Sequence, residues 1–267
     1  PRIQKGREDA LHRSKSFVAF FGGASIDLRS TVTAVILRGT FGKKSGPNVM
    51  EEVEFLETAP GANPVGCVIW MHGLGADATD FEPIVPLLPL EADLRFVFPN
   101  APVRPITVNG GMEMRGWYDI DPNSPLASGD DIRTSVEAIT QLIEAEVASG
   151  FRYDQITIAG FSQGGVIALE LGLGFRERLR GIMALSTYVN DHEHLAERVD
   201  FANVDTPIFM AHGVSDPMIP ITRAITSRQT LLDLSYSVQW QEYAMGHQVC
   251  PQQITHIGQW LNTLYSR

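Results

Sequence analysis

Lysine disappears after residue 44. The four lysines of this 267-residue chain are Lys5, Lys15, Lys43 and Lys44, and every basic side chain beyond them is an arginine. Basic charge is scarce throughout, with 21 Lys and Arg against 31 Asp and Glu and a formal net charge of -10. No cluster of basic side chains stands beside aromatic ones. A surface of this sign excludes nucleic acid and acidic membrane surfaces as partners. Cysteine is also nearly missing. Cys67 lies in an apolar strand pattern and reads as a small buried hydrophobe, so no disulfide with Cys250 is expected. No apolar run reaches the length of a membrane span, so no stable membrane insertion is expected. His192 and His194 sit in a polar stretch with no further ligands assembled, so neither a metal nor another cofactor is expected. What remains is 44% hydrophobic, enough for a substantial core in a soluble, acidic, cytoplasmic protein.

The missing lysines also mark a boundary. Residues 1–49 hold nine of the 21 basic residues but only three of the 31 acidic ones, a net +6, which leaves -16 for the rest. Random scatter would put all four lysines there about once in a thousand chains. The folded body is therefore expected over residues 50–267, with Met50 as the natural start. Residues 1–49 would be a non-homologous extension of upstream or appended sequence with no folded role. Two rivals are weaker. A secretory signal built on Ser16–Phe21 is short, interrupted by Gly22-Gly23 and preceded by Glu8 and Asp9. An arginine- and serine-bearing transit peptide is the other.

From residue 50 onward, short apolar runs alternate with longer amphipathic ones. Strands are expected at Val53–Glu57, Cys67–His72, Arg95–Phe98, Gln155–Ala159, Gly181–Leu185, Pro207–Ala211 and Ser237–Tyr243. Helices are expected at Asp80–Leu88, Gly129–Ala148, Gln163–Leu171, Ile221–Leu234 and Pro251–Leu264. The clearest helix begins after Ser128, a capping residue, and repeats Ile132, Val136, Ile139, Ile143 and Val147 at spacings of three and four. Strands alternating with helices give an α/β fold with a mostly parallel sheet covered on both faces.

The chemistry concentrates at the strand ends, where open α/β sheets bind ligands. Gly160-Phe161-Ser162-Gln163-Gly164 lies between a strand and a helix, the context in which a sharp elbow exposes a serine hydroxyl above the sheet. A serine needs an adjacent base, and His247, in a glycine-preceded loop after the last strand, is the candidate. Asp216 would hold the imidazole tautomer. Asp191, Asp205 and Asp233 compete for that role, but only Asp216 follows directly on a strand and a glycine; as Asp216-Pro217 it is also good turn chemistry. The order Ser162, Asp216, His247 is that of the α/β-hydrolase arrangement. Oxyanion donors are expected from the N–H groups of Gln163 and Leu74, the latter in His72-Gly73-Leu74-Gly75, whose glycines could also serve only a tight turn. His72 and His212 each end a strand and are expected to organise their loops. The loop from Ala101 to Asp119 carries Ile106, Val108, Met112, Met114, Trp117 and Tyr118. It is a candidate acyl-channel wall, with Leu74, Met114 and Trp117 as substrate contacts, or else plain packing.

The motifs Trp70–Gly75, Asn100–Pro105, Gly116–Asp119, Gly160–Gly165 and Met245–His247, in this order, resemble the bacterial carboxylesterase and acyl-protein thioesterase family of α/β-hydrolases. The resemblance runs from about Met50 to Leu264. It implies the same triad of Ser162, Asp216 and His247, the same donors Leu74 and Gln163, and a homodimer. Only about thirty residues separate Leu185 from Asp216, too few for a large cap, so an open site is expected. The expected activity is cleavage of carboxylic esters with short to medium acyl chains through an acyl-enzyme. Alternatives are acyl-protein thioesterase or lysophospholipase activity on the same machinery, or a non-catalytic small-ligand binding protein on this fold.

Overall fold

The computed structural model describes residues 37–41, 53–58, 61, 63–124 and 126–265. Its main sheet has eight strands: β1 (Leu37–Phe41), β2 (Val53–Thr58), β3 (Gly66–Met71), β4 (Leu94–Pro99), β7 (Ile156–Phe161), β8 (Gly181–Leu185), β9 (Ile208–Gly213) and β10 (Val238–Tyr243). A separate antiparallel hairpin pairs β5 (Val103–Ile106) with β6 (Met112–Arg115). The helices are α1 (Gly129–Ala148), α2 (Gln163–Gly174), α3 (Leu195–Arg198), α4 (Ile221–Asp233) and α5 (Pro251–Tyr265). The strand order is β1-β2-β4-β3-β7-β8-β9-β10. Pairing is parallel from β4 to β10 and antiparallel for β2 on β4 and β1 on β2.

The central strands β3, β7, β8 and β9 are buried along their whole length, which explains why they read as continuous apolar runs rather than alternating ones. One face packs Ile69, Ile158 and Ile182 under α1 and α2, and Met210 towards Leu231 of α4. The other packs Trp70, Met183 and Phe209 against Ile257, Trp260 and Leu261 of α5 and against residues 78–88. Ser128 caps α1 by accepting from the Asp131 N–H, and Asp130 and Asp131 stand at the positive end of its dipole. At the opposite end of the sheet Arg95 joins Glu57 and Glu146, tying β2, β4 and α1 together.

Two expectations are corrected. Residues 80–88 hold only a 3-10 segment, Glu82–Leu87, because Pro83 and Pro86 remove N–H donors that an α-helix needs. The β5–β6 hairpin falls in a stretch read as loop. Leu37–Phe41, inside the segment given no folded role, pair in register with β2. Met50 and the Ser16–Phe21 run lie outside the described residues. Between Leu185 and Asp216 the chain carries only α3, a short 3-10 turn and β9, so no cap domain is inserted there. Among the described residues no helix is long and apolar enough to cross a membrane.

Candidate active site

Ser162 sits between β7 and α2 with φ 54° and ψ -117°, left-handed backbone that a non-glycine residue rarely adopts. Three groups hold it there. Its N–H donates to Leu185 O at 2.8 Å, its carbonyl accepts from Gly165 N at 3.0 Å, and the Thr187 hydroxyl donates to the same carbonyl at 2.7 Å. The flanking glycines answer to crowding. A Cβ on Gly160 would overlap the Gly164 backbone, and one on Gly164 would lie 2.5 Å from His72 O and 2.6 Å from Met71 O.

Two loops at neighbouring strand ends meet this serine. His247 follows β10 and Asp216 follows β9, and Ser215 N donates to Met245 O at 3.1 Å between the loops. Gly213 is required at this crossing, because a Cβ there would overlap the Met245 and Gly246 backbone. His247 Nε2 lies 2.9 Å from Ser162 Oγ, and its Nδ1 lies 2.7 Å from Asp216 Oδ2. The Phe161 ring packs on the imidazole with centroids 4.8 Å apart. The Asp216 carboxylate is buried, yet Oδ1 accepts from Met218 N at 2.8 Å and Ile219 N at 2.9 Å, so its charge is fully hydrogen-bonded. Three residues separated by up to 85 positions therefore form one hydrogen-bonded chain.

The loop after β3 lies directly against the nucleophile, since a Cβ on Gly73 would be 3.4 Å from Ser162 Cβ. Gln163 opens α2, and its N–H is among those a helix leaves without an intrahelical partner. His72 organises the loop. Its Nδ1–H donates to Gly73 O at 2.7 Å and its Nε2 accepts from Ala101 N at 3.0 Å. Burial pulls its pKa down to about 4, so the ring is neutral.

A second buried set of bonds reaches the hairpin. The Gln163 amide accepts from Trp117 N at 2.7 Å and donates to Tyr118 O at 2.6 Å, and the Trp117 indole donates to His72 O at 2.9 Å. Gly75 N donates to Arg115 O at 2.8 Å. Trp117, expected to contact substrate, is 1% exposed and stands behind the loop as its support. Leu74 and Met114 are partly exposed and flank the hairpin root. A Cβ on Gly116 would lie 3.1 Å from Leu74 Cδ1, and one on Gly75 would lie 3.6 Å from Met114 Sδ. Met112 and Val108 are exposed further out, so the Ala101–Asp119 segment divides into a buried half and an open half.

The other acids are engaged elsewhere. Asp191 pairs with His194 and Arg198, Asp233 accepts from Gln229, and Asp205 is exposed. His192 lies 3.3 Å from the Thr230 hydroxyl, and no group of three or more His, Cys, Asp or Glu among the described residues is arranged to hold a metal ion. The sequence reading missed the Gln163 side chain, Thr187 and the position of His212 beside Asp216. Only His212 left a trace, as a histidine at a strand end four residues before the acid.

A mostly parallel sheet with a serine elbow after β7, an acid after β9 and a histidine after β10 defines an α/β-hydrolase. Residues 56–265 match the Phospholipase/Carboxylesterase family model, and the chain belongs to that family. It is a serine hydrolase acting on ester or thioester bonds. Acyl-protein thioesterase 1 of Neurospora crassa is 37% identical over 214 residues, covering 75% of this chain and 87% of that protein. The Saccharomyces cerevisiae acyl-protein thioesterase 1 is 32% identical, covering 73% and 90%. Among solved structures, Arabidopsis thaliana SOBER1 superimposes with a TM-score of 0.70 at 26% identity, covering 74% of this chain and 98% of that one.

Proposed function

We propose that Ser162, His247 and Asp216 cleave carboxylic esters of short to medium acyl chains through an acyl-enzyme. Ser162 Oγ attacks the carbonyl carbon while its proton passes to His247 Nε2. Asp216 accepts the Nδ1–H, fixes the tautomer and stabilises the imidazolium. The Leu74 and Gln163 N–H groups receive the developing oxyanion. Collapse of the tetrahedral intermediate breaks the bond to the leaving oxygen, which takes the proton from His247. Water then attacks the acyl-enzyme and gives a proton to His247. The carboxylic acid departs as that proton returns to Ser162. The observation that carries this reading is the unbroken chain of 2.9 and 2.7 Å contacts from Ser162 to Asp216.

A second reading, acyl-protein thioesterase activity on the same residues, is favoured by the relatives at 32–37% identity that bear that name. Leu74 and Met114 at the hairpin root would meet the acyl chain in either case. A fluorophosphonate probe should label the wild type and leave Ser162→Ala unlabelled. Equal labelling of both proteins would remove the nucleophile assignment. Competition among p-nitrophenyl esters, acyl thioesters and lysophospholipid then ranks the substrates, and a clear preference for thioester would replace the ester reading. Two narrower expectations remain, a homodimer from the family resemblance and a cytoplasmic location from composition; sedimentation velocity and fractionation of cells expressing the gene test them.

A further inference from the structure

We propose that His212 is a positioning residue for the Asp216–His247 pair. The proposal rests on the serine-hydrolase reading above and deepens it. His212 lies in β9, four residues before Asp216, and its side chain is 1% exposed. Its Nε2 is 2.8 Å from Ile219 O and 3.3 Å from Asp216 Oδ2, the oxygen that also faces His247 Nδ1. Both neighbours of Nε2 are acceptors, so the proton sits there; an unprotonated Nε2 would set a lone pair against two oxygens. Burial keeps the ring's pKa below the ordinary histidine range, and Asp216 and His247 are the titratable groups that act on it. The ring is therefore a neutral donor rather than a second cation on the carboxylate.

This bonding closes the turn that carries the acid. Asp216 Oδ1 holds the N–H groups of Met218 and Ile219, while the Ile219 carbonyl is tied back to His212 on β9. The imidazole thus determines where the turn sits and how Oδ2 is aimed.

With Nε2 protonated, Nδ1 must accept. It is buried and has no partner among the described residues, and the buried Ser186 hydroxyl is in the same position. Ser186 and His212 immediately follow Leu185 and Ala211, the last pair of the β8–β9 ladder, and Ser186 N donates to Ala211 O at 2.8 Å. The two groups lie at the end of the β8–β9 ladder but make no hydrogen bond to each other. Ser186 also holds φ 47°, a left-handed conformation retained where surrounding structure enforces it.

The protonated Nε2, bonded to Ile219 O and 3.3 Å from Oδ2, sets the positive end of its N–H dipole beside the carboxylate and offsets part of the negative charge that faces His247. Removing it leaves more of that charge facing the imidazole, so the acid limb of kcat/KM moves to higher pH. The test uses the full chain and three variants, with ester hydrolysis measured across pH per fluorophosphonate-labelled site and Tm measured alongside. His212→Phe should lower kcat about ten-fold with KM little changed, and raise the acid limb by about half a pH unit. His212→Gln, which restores an N–H near the Nε2 position, should recover most of both effects. His212→Ala, which also removes the N–H, should move the limb the same way. A lowered Tm with kcat per labelled site and acid limb unmoved in His212→Phe would overturn the proposal. If that variant does not fold, the His212→Ala limb decides, a shift supporting the proposal and no shift overturning it. Failure of the wild type to label at Ser162 would instead remove the hydrolase mechanism itself, a separate result.

Discussion

Left-handed backbone at a serine costs on the order of 1–3 kcal/mol, and at Ser162 the cost is offset by bonds to Leu185, Gly165 and Thr187. The same crowding sets the tolerance of the elbow. Gly164→Ala places a methyl against two carbonyl oxygens of the preceding loop, and overpacking of this kind costs about 1–3 kcal/mol. We expect Tm to fall by roughly 5 °C and kcat to fall with it, because the loop can move only away from Ser162. An unchanged Tm by calorimetry would show that the elbow is looser than its geometry indicates. His72 provides a pH signature at the same scale. Its folded pKa of about 4 lies below the ordinary value of 6.5, so the unfolded chain takes up a proton first as the solution is acidified. The stability held above pH 6.5 is therefore lost progressively as pH falls to about 4. Thermal denaturation across that window should show this slope, and His72→Gln should flatten it; an identical slope in the variant would assign the loss to other groups.

Elements differ in how plainly the sequence announced them. The central strands and α1 were legible to within a residue or two because burial on both faces forces continuous apolar runs and amphipathic burial forces a period near 3.6. The β5–β6 hairpin was not. Its strands are four residues long, β5 contains Pro105, and its turn is made by Gly110 and Gly111 at φ 68° and 78°, so no alternating pattern survives. Yet Trp117 and Tyr118, just beyond it, are bonded to the nucleophile's neighbour Gln163. Gln163→Leu would leave the Trp117 N–H and Tyr118 carbonyl buried and unpaired, about 1–3 kcal/mol for each group. We expect kcat to drop about ten-fold or more while fluorophosphonate still labels Ser162. Loss of labelling together with loss of folded structure would mean that the amide is needed for the fold rather than for the site.

Across the whole molecule, the charge break near residue 50 and the architecture do not coincide. The family match begins at residue 56, but Leu37–Phe41 extend the sheet on the basic side of the break. Edge pairing of this kind covers β2 without reaching the site, since β1 lies four places from β7 in the strand order. Removing residues 1–49 should therefore lower Tm by about 3 °C and leave kcat/KM within about two-fold of the full chain. A large loss of activity with Tm unchanged would place part of the basic segment at the site.

Composition and pattern alone determined the α/β class, the run of central strands and the order Ser162, Asp216, His247, because each depends on local spacing and burial. They also placed Leu74 beside glycines at a strand end. Which polar side chains meet is different. The 85 positions between Ser162 and His247, the reach of Gln163 to Trp117 and the closeness of His212 to Asp216 follow from strand order and loop packing. Those contacts join residues far apart in the chain, so only the tertiary structure decided them.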